Sequence, residues 1–184
     1  MEEQELLQRA RGGDQAAFGL LMEQYERQVS RQALGLVGHP EDAADVTQEV
    51  FLKVWRGLPA FQGGSSFSTW LYRLTGNAAI DLLRREKKRR GDLSLDDPDR
   101  GWDSQLAGPT PPPEKSLEQK ELRRAVIRGL ALLSEEHRQV LVLRVLNGAS
   151  YEEIGQVLGL PPGTVKSRVA RARLALAKLL KEEL

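Results

Sequence analysis

The feature that most constrains this chain is a short, punctuated stretch near its C-terminus, running from Asn147-Gly148 to Arg173. Ser150-Tyr151-Glu152-Glu153 has the form of a capping box. The Ser hydroxyl takes the Glu153 N–H, and the Glu153 carboxylate reaches back to the Ser150 N–H. The helix it opens is short, with Ile154, Val157 and Leu158 expected inward. Gly159-Leu160-Pro161-Pro162 then makes a tight turn, and Thr164 is expected to cap a final long helix. At about 100° per residue, Val165, Val169, Ala172 and Leu176 fall on one narrow face of that helix. Ser167, Ala170 and Arg171 fall opposite, with Lys166 and Arg173 on one flank and Arg168 on the other. One stripe packs and the other is free, the division that a helix-turn-helix needs to enter a DNA major groove. Lys166 and Arg171 suit guanine acceptors or phosphates, and Ala170 is small enough for close approach. A basic helix face alone is common on solvated helices; the capped short helix, the turn and the small outward residue together favour the DNA reading.

Upstream, the hydrophobic spacing is helical throughout, with no strand-like alternation. Residues 2–11 read as a short helix stopped by Gly12-Gly13. Asp14 suits the N-cap of a second helix, carrying Ala17, Phe18, Leu21, Met22 and Tyr25 and continuing through Val29, Ala33 and Leu36. Pro40 starts a third, which runs to about Arg56 and ends at Gly57-Leu58-Pro59. After the loop Phe61-Gln62-Gly63-Gly64-Ser65-Ser66-Phe67, a long helix begins near Ser68 and reaches the basic cluster Arg84–Arg90. Residues 91–117 hold five prolines and six acids without periodicity, and read as a flexible linker. Helix returns near Leu117, and Ser134 caps another carrying Val140, Leu141 and Leu143. The fold expected is all-α, with two small helical domains, 1–90 and 118–184, joined by the linker 91–117.

Charge matters here by its distribution, because the net value is only +1. Two basic clusters, at Arg84–Arg90 and Lys166–Lys181, flank the acidic linker. There are no cysteines, hence no disulfide and no thiolate chemistry, and a cytoplasmic location fits. His39 and His137 lack the neighbours of a metal cage. No apolar run approaches the length of a membrane span, so direct membrane insertion is not expected. No nucleophile elbow, phosphate loop or metal spacing appears, so neither an enzyme nor a cofactor is expected.

Three ordered motifs carry a family resemblance: DAADVTQEVFLKVW from Asp42, SSFSTWLYRLTGNAAIDLLRR from Ser65, and LNGASYEEIGQVLGLPPGTVKSRVARAR from Leu146. In this order they resemble the extracytoplasmic-function (ECF) sigma factors of bacterial RNA polymerase, which keep only sigma regions two and four. The resemblance covers nearly the whole chain. It implies that Asp45, Gln48, Glu49, Leu52 and Lys53 dock on the clamp helices of the polymerase beta-prime subunit. It implies that Phe61, Gln62, Gly63, Ser65, Ser66, Phe67, Trp70 and Asn77 serve capture of a flipped −10 base, with Arg84, Arg85 and Lys88 on nearby phosphate. Thr164, Lys166, Ser167, Arg168, Ala170 and Arg171 would read the −35 duplex. The partners implied are core RNA polymerase, through those clamp helices and the flap of the beta subunit, promoter DNA both duplex and melted, and an anti-sigma factor that could hold the protein near the membrane. The linker resembles the segment that threads through polymerase. Gly63-Gly64 leaves the capture loop without charge, and Gly76 in a helix interior either permits close DNA approach, allows a slight bend or is simply tolerated. Competing readings are a helix-turn-helix regulator acting on duplex DNA without polymerase, and a metal-dependent nucleic-acid enzyme.

Overall fold

The computed structural model describes residues 2–90 and 113–183, and every regular element among them is helical. Helices α1 (Glu3–Arg11), α2 (Gln15–Val37), α3 (Pro40–Gly57) and α4 (Phe67–Arg90) form the N-terminal unit, with a 3₁₀ turn at Leu58–Ala60. Helices α5 (Pro113–Leu132), α6 (Glu135–Leu141), α7 (Tyr151–Leu158) and α8 (Pro162–Glu183) form the C-terminal unit. A π-helical segment, Val142–Leu146, extends α6. Most of the linker expected at 91–117 lies outside the described residues, together with its five aspartates and most of its prolines. Helix resumes at Pro113, four residues before Leu117, because a proline fits the first helical position, where no N–H is needed. Among the described residues, no helix is long and apolar enough to cross a membrane.

Local chemistry sets the element ends. The Asp14 carboxylate accepts the Ala17 N–H at 3.0 Å and is held by Arg9 at 2.7 Å. Those bonds hold its carboxyl below the usual carboxylate range, the Ala17 amide contributing most. Ser66, not Ser68, opens α4: its hydroxyl accepts the Thr69 N–H at 3.1 Å. Arg138 closes two helices at once. Its guanidinium donates to the carbonyls of Leu130, Ala131 and Leu133 at the end of α5, and to that of Leu36 at the end of α2 at 2.9 Å.

The N-terminal core is built from Leu21, Val29, Val46, Val50, Val54, Leu58 and Leu71, all essentially inaccessible. The C-terminal core uses Leu141, Ile154, Val165, Val169 and Ala172 in the same way. The two cores are continuous. The joint is α2, whose other face meets α5 and the π-helical segment, while α4 meets α7. Val140, Leu141, Val142 and Leu143 are buried in an unbroken run. A helix with one neighbour cannot bury four residues in succession; this one lies between α8 on one side and α2 on the other.

Candidate nucleic-acid interface

The capping box forms as expected: Ser150 N donates to Glu153 Oε2 at 2.8 Å, and Glu153 N donates to Ser150 Oγ at 3.1 Å. Gly159 ends α7 in the left-handed region, φ 68°. Gly155 lets the turn fold back, since a Cβ there would sit 2.5 Å from the Leu160 carbonyl oxygen. Its own carbonyl accepts the Leu160 N–H at 2.9 Å. The sequence pattern did not single out Gly155; a glycine five residues before a Leu-Pro-Pro turn was the available signal.

One expectation about α8 is corrected. Thr164 does not cap it, because the helix already begins at Pro162 and Val165 N donates to the Pro161 carbonyl at 3.1 Å. Proline's fixed φ favours the earlier start. Thr164 therefore sits half-buried within the first turn, its carbonyl accepting the Ser167 hydroxyl at 3.0 Å. The rest of the wheel holds. Val165, Val169 and Ala172 are buried, while Lys166, Ser167, Ala170 and Arg171 are exposed. Arg168 is half-buried and reaches Glu136 at 3.4 Å, so it braces α8 against α6 rather than standing free.

In the N-terminal unit an aromatic cluster lies beside the loop 61–66. The Phe61 and Trp70 rings stack with centroids 4.9 Å apart and 26° between planes. Phe67 is 3% exposed and packs edge-on against Tyr25 at 5.1 Å. Phe67 also meets the Phe61 and Trp70 rings at 5.9 and 5.8 Å, as the floor beneath them. An open recess of about 470 Å³ runs along this loop, lined by Phe61, Gln62, Gly64, Ser65, Trp70 and Arg73. Gly63 takes φ 75°, which glycine permits freely. Arg73 was missed by the sequence pattern, although it stands three residues after Trp70 and four before Asn77, on one side of α4. Asn77 is exposed and lines a separate, narrow crevice of about 50 Å³. Arg84, Arg85 and Lys88 are exposed on the last turns of α4, and Arg85 approaches Glu49 at 3.5 Å.

On α3, Asp45, Gln48 and Leu52 are exposed. Glu49 is half-buried and pairs with Lys53 at 2.8 Å, and this bond with Arg85 beyond it holds the Glu49 carboxyl below its ordinary value. Leu52, 51% exposed, is an apolar side chain in a polar ridge. Gln48 also borders a groove of about 520 Å³ between α2 and α3, edged by Arg27, Arg31 and Arg123.

A helix-turn-helix with a clear basic face, and a second unit joining an aromatic recess to a basic helix end, define a protein with two surfaces whose chemistry suits nucleic acid. Residues 21–89 match the family model Sigma-70 region 2, and residues 123–176 match Sigma-70, region 4. The chain is 36% identical over 178 residues to the ECF RNA polymerase sigma-E factor of Escherichia coli (strain K12), covering 96% of this chain and 93% of that protein. It is 35% identical over 181 residues to the RNA polymerase sigma-H factor of Pseudomonas aeruginosa, covering 97% and 94%. Among solved structures it is similar to CnrH in complex with the cytosolic domain of CnrY, with TM-score 0.73, 26% identity and 99% of each chain covered. It is also similar to the sigma factor RpoE in complex with the anti-sigma factor NepR from Bartonella quintana, with TM-score 0.70, 25% identity and 89% and 96% covered. The chain belongs to the ECF sigma factors, and its function is that of a promoter-directing sigma factor. The alternative, a regulator that works on duplex DNA without polymerase, is not favoured.

Proposed function

We propose that this protein docks on core RNA polymerase through the α3 ridge of Asp45, Gln48, Glu49, Leu52 and Lys53, and reads a promoter at two separate places. Residues 1–90 serve docking and −10 opening, residues 118–184 serve −35 recognition, and the segment between them spans polymerase. The exposed face of α8 enters the −35 major groove, with Lys166 and Arg171 donating to base edges or phosphates and Ala170 allowing close approach. Ser167 lies between them, and Thr164 and Arg168 support the helix from its flank. Phe61, Gln62, Gly63, Ser65, Ser66, Phe67 and Trp70, with Asn77 further along α4, take an unstacked −10 base at the recess that Phe61, Gln62, Ser65 and Trp70 line, while Arg84, Arg85 and Lys88 hold the strand backbone. Extruding a base costs a few kcal/mol, which polymerase docking and pocket contacts offset. Bond formation belongs to polymerase, and the chain brings no catalytic group or cofactor of its own.

The partners are the beta-prime clamp helices, the beta flap, promoter DNA and an anti-sigma factor, the last supported by the anti-sigma complexes of similar structures. The observation that carries the reading is the pairing of two DNA-suited surfaces on separate helical units. The test is reconstituted transcription with core polymerase on a genomic fragment library, with start sites mapped. Selective initiation is expected when the chain is added; failure of the chain to bind core polymerase would remove the proposal.

A further inference from the structure

The groove of about 520 Å³ between α2 and α3, with Arg123 of α5 at its edge, lies outside both surfaces assigned to DNA. That volume is in the range of small-molecule sites. Its lining falls into three chemical zones. Leu34 of α2 and Pro40 and Phe51 of α3 give it an apolar wall. Ser30 and Thr47 put two hydroxyls 3.5 Å apart between the helices. Thr47 Oγ1 donates to the Ala43 carbonyl at 2.7 Å, so toward the groove it can only accept. Ser30 can give or take a proton. Arg27, Arg31 and Arg123 are exposed along the edge.

The charge of that edge is out of balance. Arg27 and Arg31 stand one turn apart on α2, and Arg31 Nε donates to the Arg27 carbonyl at 3.3 Å. Arg123 comes to the same rim from a helix of the other unit. Against these guanidiniums the lining holds a single carboxylate, Glu26. None of the three arginines is in an ion pair among the described residues. Like charges gathered at one cavity raise its potential, and a bound anion relieves their repulsion. Guanidinium forks match phosphate oxygens two at a time. An acidic peptide would also answer the rim. A flat apolar wall, a pair of hydroxyls and a cationic edge within one small cavity correspond better to the base, sugar and phosphates of one molecule.

We propose that this groove is a binding site for a nucleoside di- or triphosphate. The base lies against Leu34, Pro40 and Phe51, the sugar or base edge meets Ser30 and Thr47, and the phosphates sit among Arg27, Arg31 and Arg123. Bound phosphates join α5 to α2 through Arg123. The site stands apart from the DNA surfaces, and of the α3 ridge only Gln48 borders it.

The test titrates the isotope-labelled full chain at constant ionic strength, following amide shifts by nuclear magnetic resonance. The probes are ATP, GTP, AMP, inorganic tripolyphosphate and a short peptide of Glu and Leu. ATP or GTP is expected to give saturating shifts around Ser30, Thr47 and Phe51 with Kd below about 1 mM. AMP, with less charge, and tripolyphosphate, without base or sugar, should each bind about tenfold more weakly. Arg27→Ala, Arg31→Ala and Arg123→Ala should each weaken nucleotide binding about tenfold, the size of one charge-assisted contact. Thr47→Val, which keeps the shape and removes the hydroxyl, should weaken it less. Arg56→Ala, an exposed arginine in the last turn of α3, should leave it unchanged, and circular dichroism checks that every variant is folded. Absence of saturating shifts at the groove with either nucleotide overturns the proposal. Tripolyphosphate binding as tightly as ATP and GTP overturns it too, since that defines only a polyanion patch. An equal loss in Arg56→Ala would overturn the location, and tighter binding of the acidic peptide would overturn the ligand class.

Discussion

At the scale of single residues, the structure separates side chains that support a surface from those that form it. Phe67 and Trp70 are three residues apart and both aromatic, yet Phe67 is buried and Trp70 half-exposed. Phe67→Ala should cost roughly 3–5 kcal/mol in urea denaturation, because it empties the floor of the aromatic cluster. Gly76 has no packing reason to be glycine: a Cβ there would meet only Gln32 Nε2, at 3.8 Å. Gly76→Ala should therefore raise stability by up to ~1 kcal/mol in thermal denaturation; a loss of promoter opening in the stabilised variant would show that the strand passes close to this backbone. Asp14 gives a pH signature. Its folded-state carboxyl lies below the ordinary 3.8, so its capping contribution is complete above that pH and is lost as pH falls through the lower folded value. Asp14→Asn should flatten the acid limb of the helicity curve below pH ~4. Asp14 and Ser150 were legible in the sequence because capping is local. Phe67 was not, because its burial is decided by Tyr25, some forty residues earlier.

At the scale of elements, the helices follow the periodicity, and the differences gather at their starts. α4, α5 and α8 each begin earlier than the pattern suggested, two of them on a proline that reads equally well as a turn residue. The capping box of α7 was readable in full, since both partners lie within four residues. Ser150→Ala should cost ~1 kcal/mol and unsettle α7 before α8, as followed by site-resolved hydrogen exchange. On α8, Lys166→Ala and Arg171→Ala should each weaken binding to a −35 duplex and reduce the slope of log affinity against log salt by about one where the lost contact was a phosphate. A base contact would instead change sequence preference with little effect on the slope. Of the candidate site, the exposed face of α8 and the α3 ridge were legible because spacing along one helix defines a face. Arg73 was not singled out, because its role depends on what the loop 61–66 and α7 bring beside it.

At the scale of the whole molecule, two helical units were expected, and two are present; what the pattern did not convey is how they meet. The signal was Gln139-Val-Leu-Val-Leu-Arg-Val-Leu146, where six of eight residues are apolar, too many for one face of a surface helix. Leu141→Ala should cost about 2–5 kcal/mol in the C-terminal unit. Because that core runs into α2, amide exchange near Gly35 should quicken in the variant while α1 is little affected. The wide turn at Val142–Leu146 makes the joint possible, since it supplies the extra angle by which consecutive side chains face opposite neighbours. Deleting one residue there would swing everything downstream by about 100° around the helix axis. The DNA-reading head would keep its shape but point elsewhere, so the length of this five-residue gear, more than the chemistry of any side chain in it, sets where the head comes to rest.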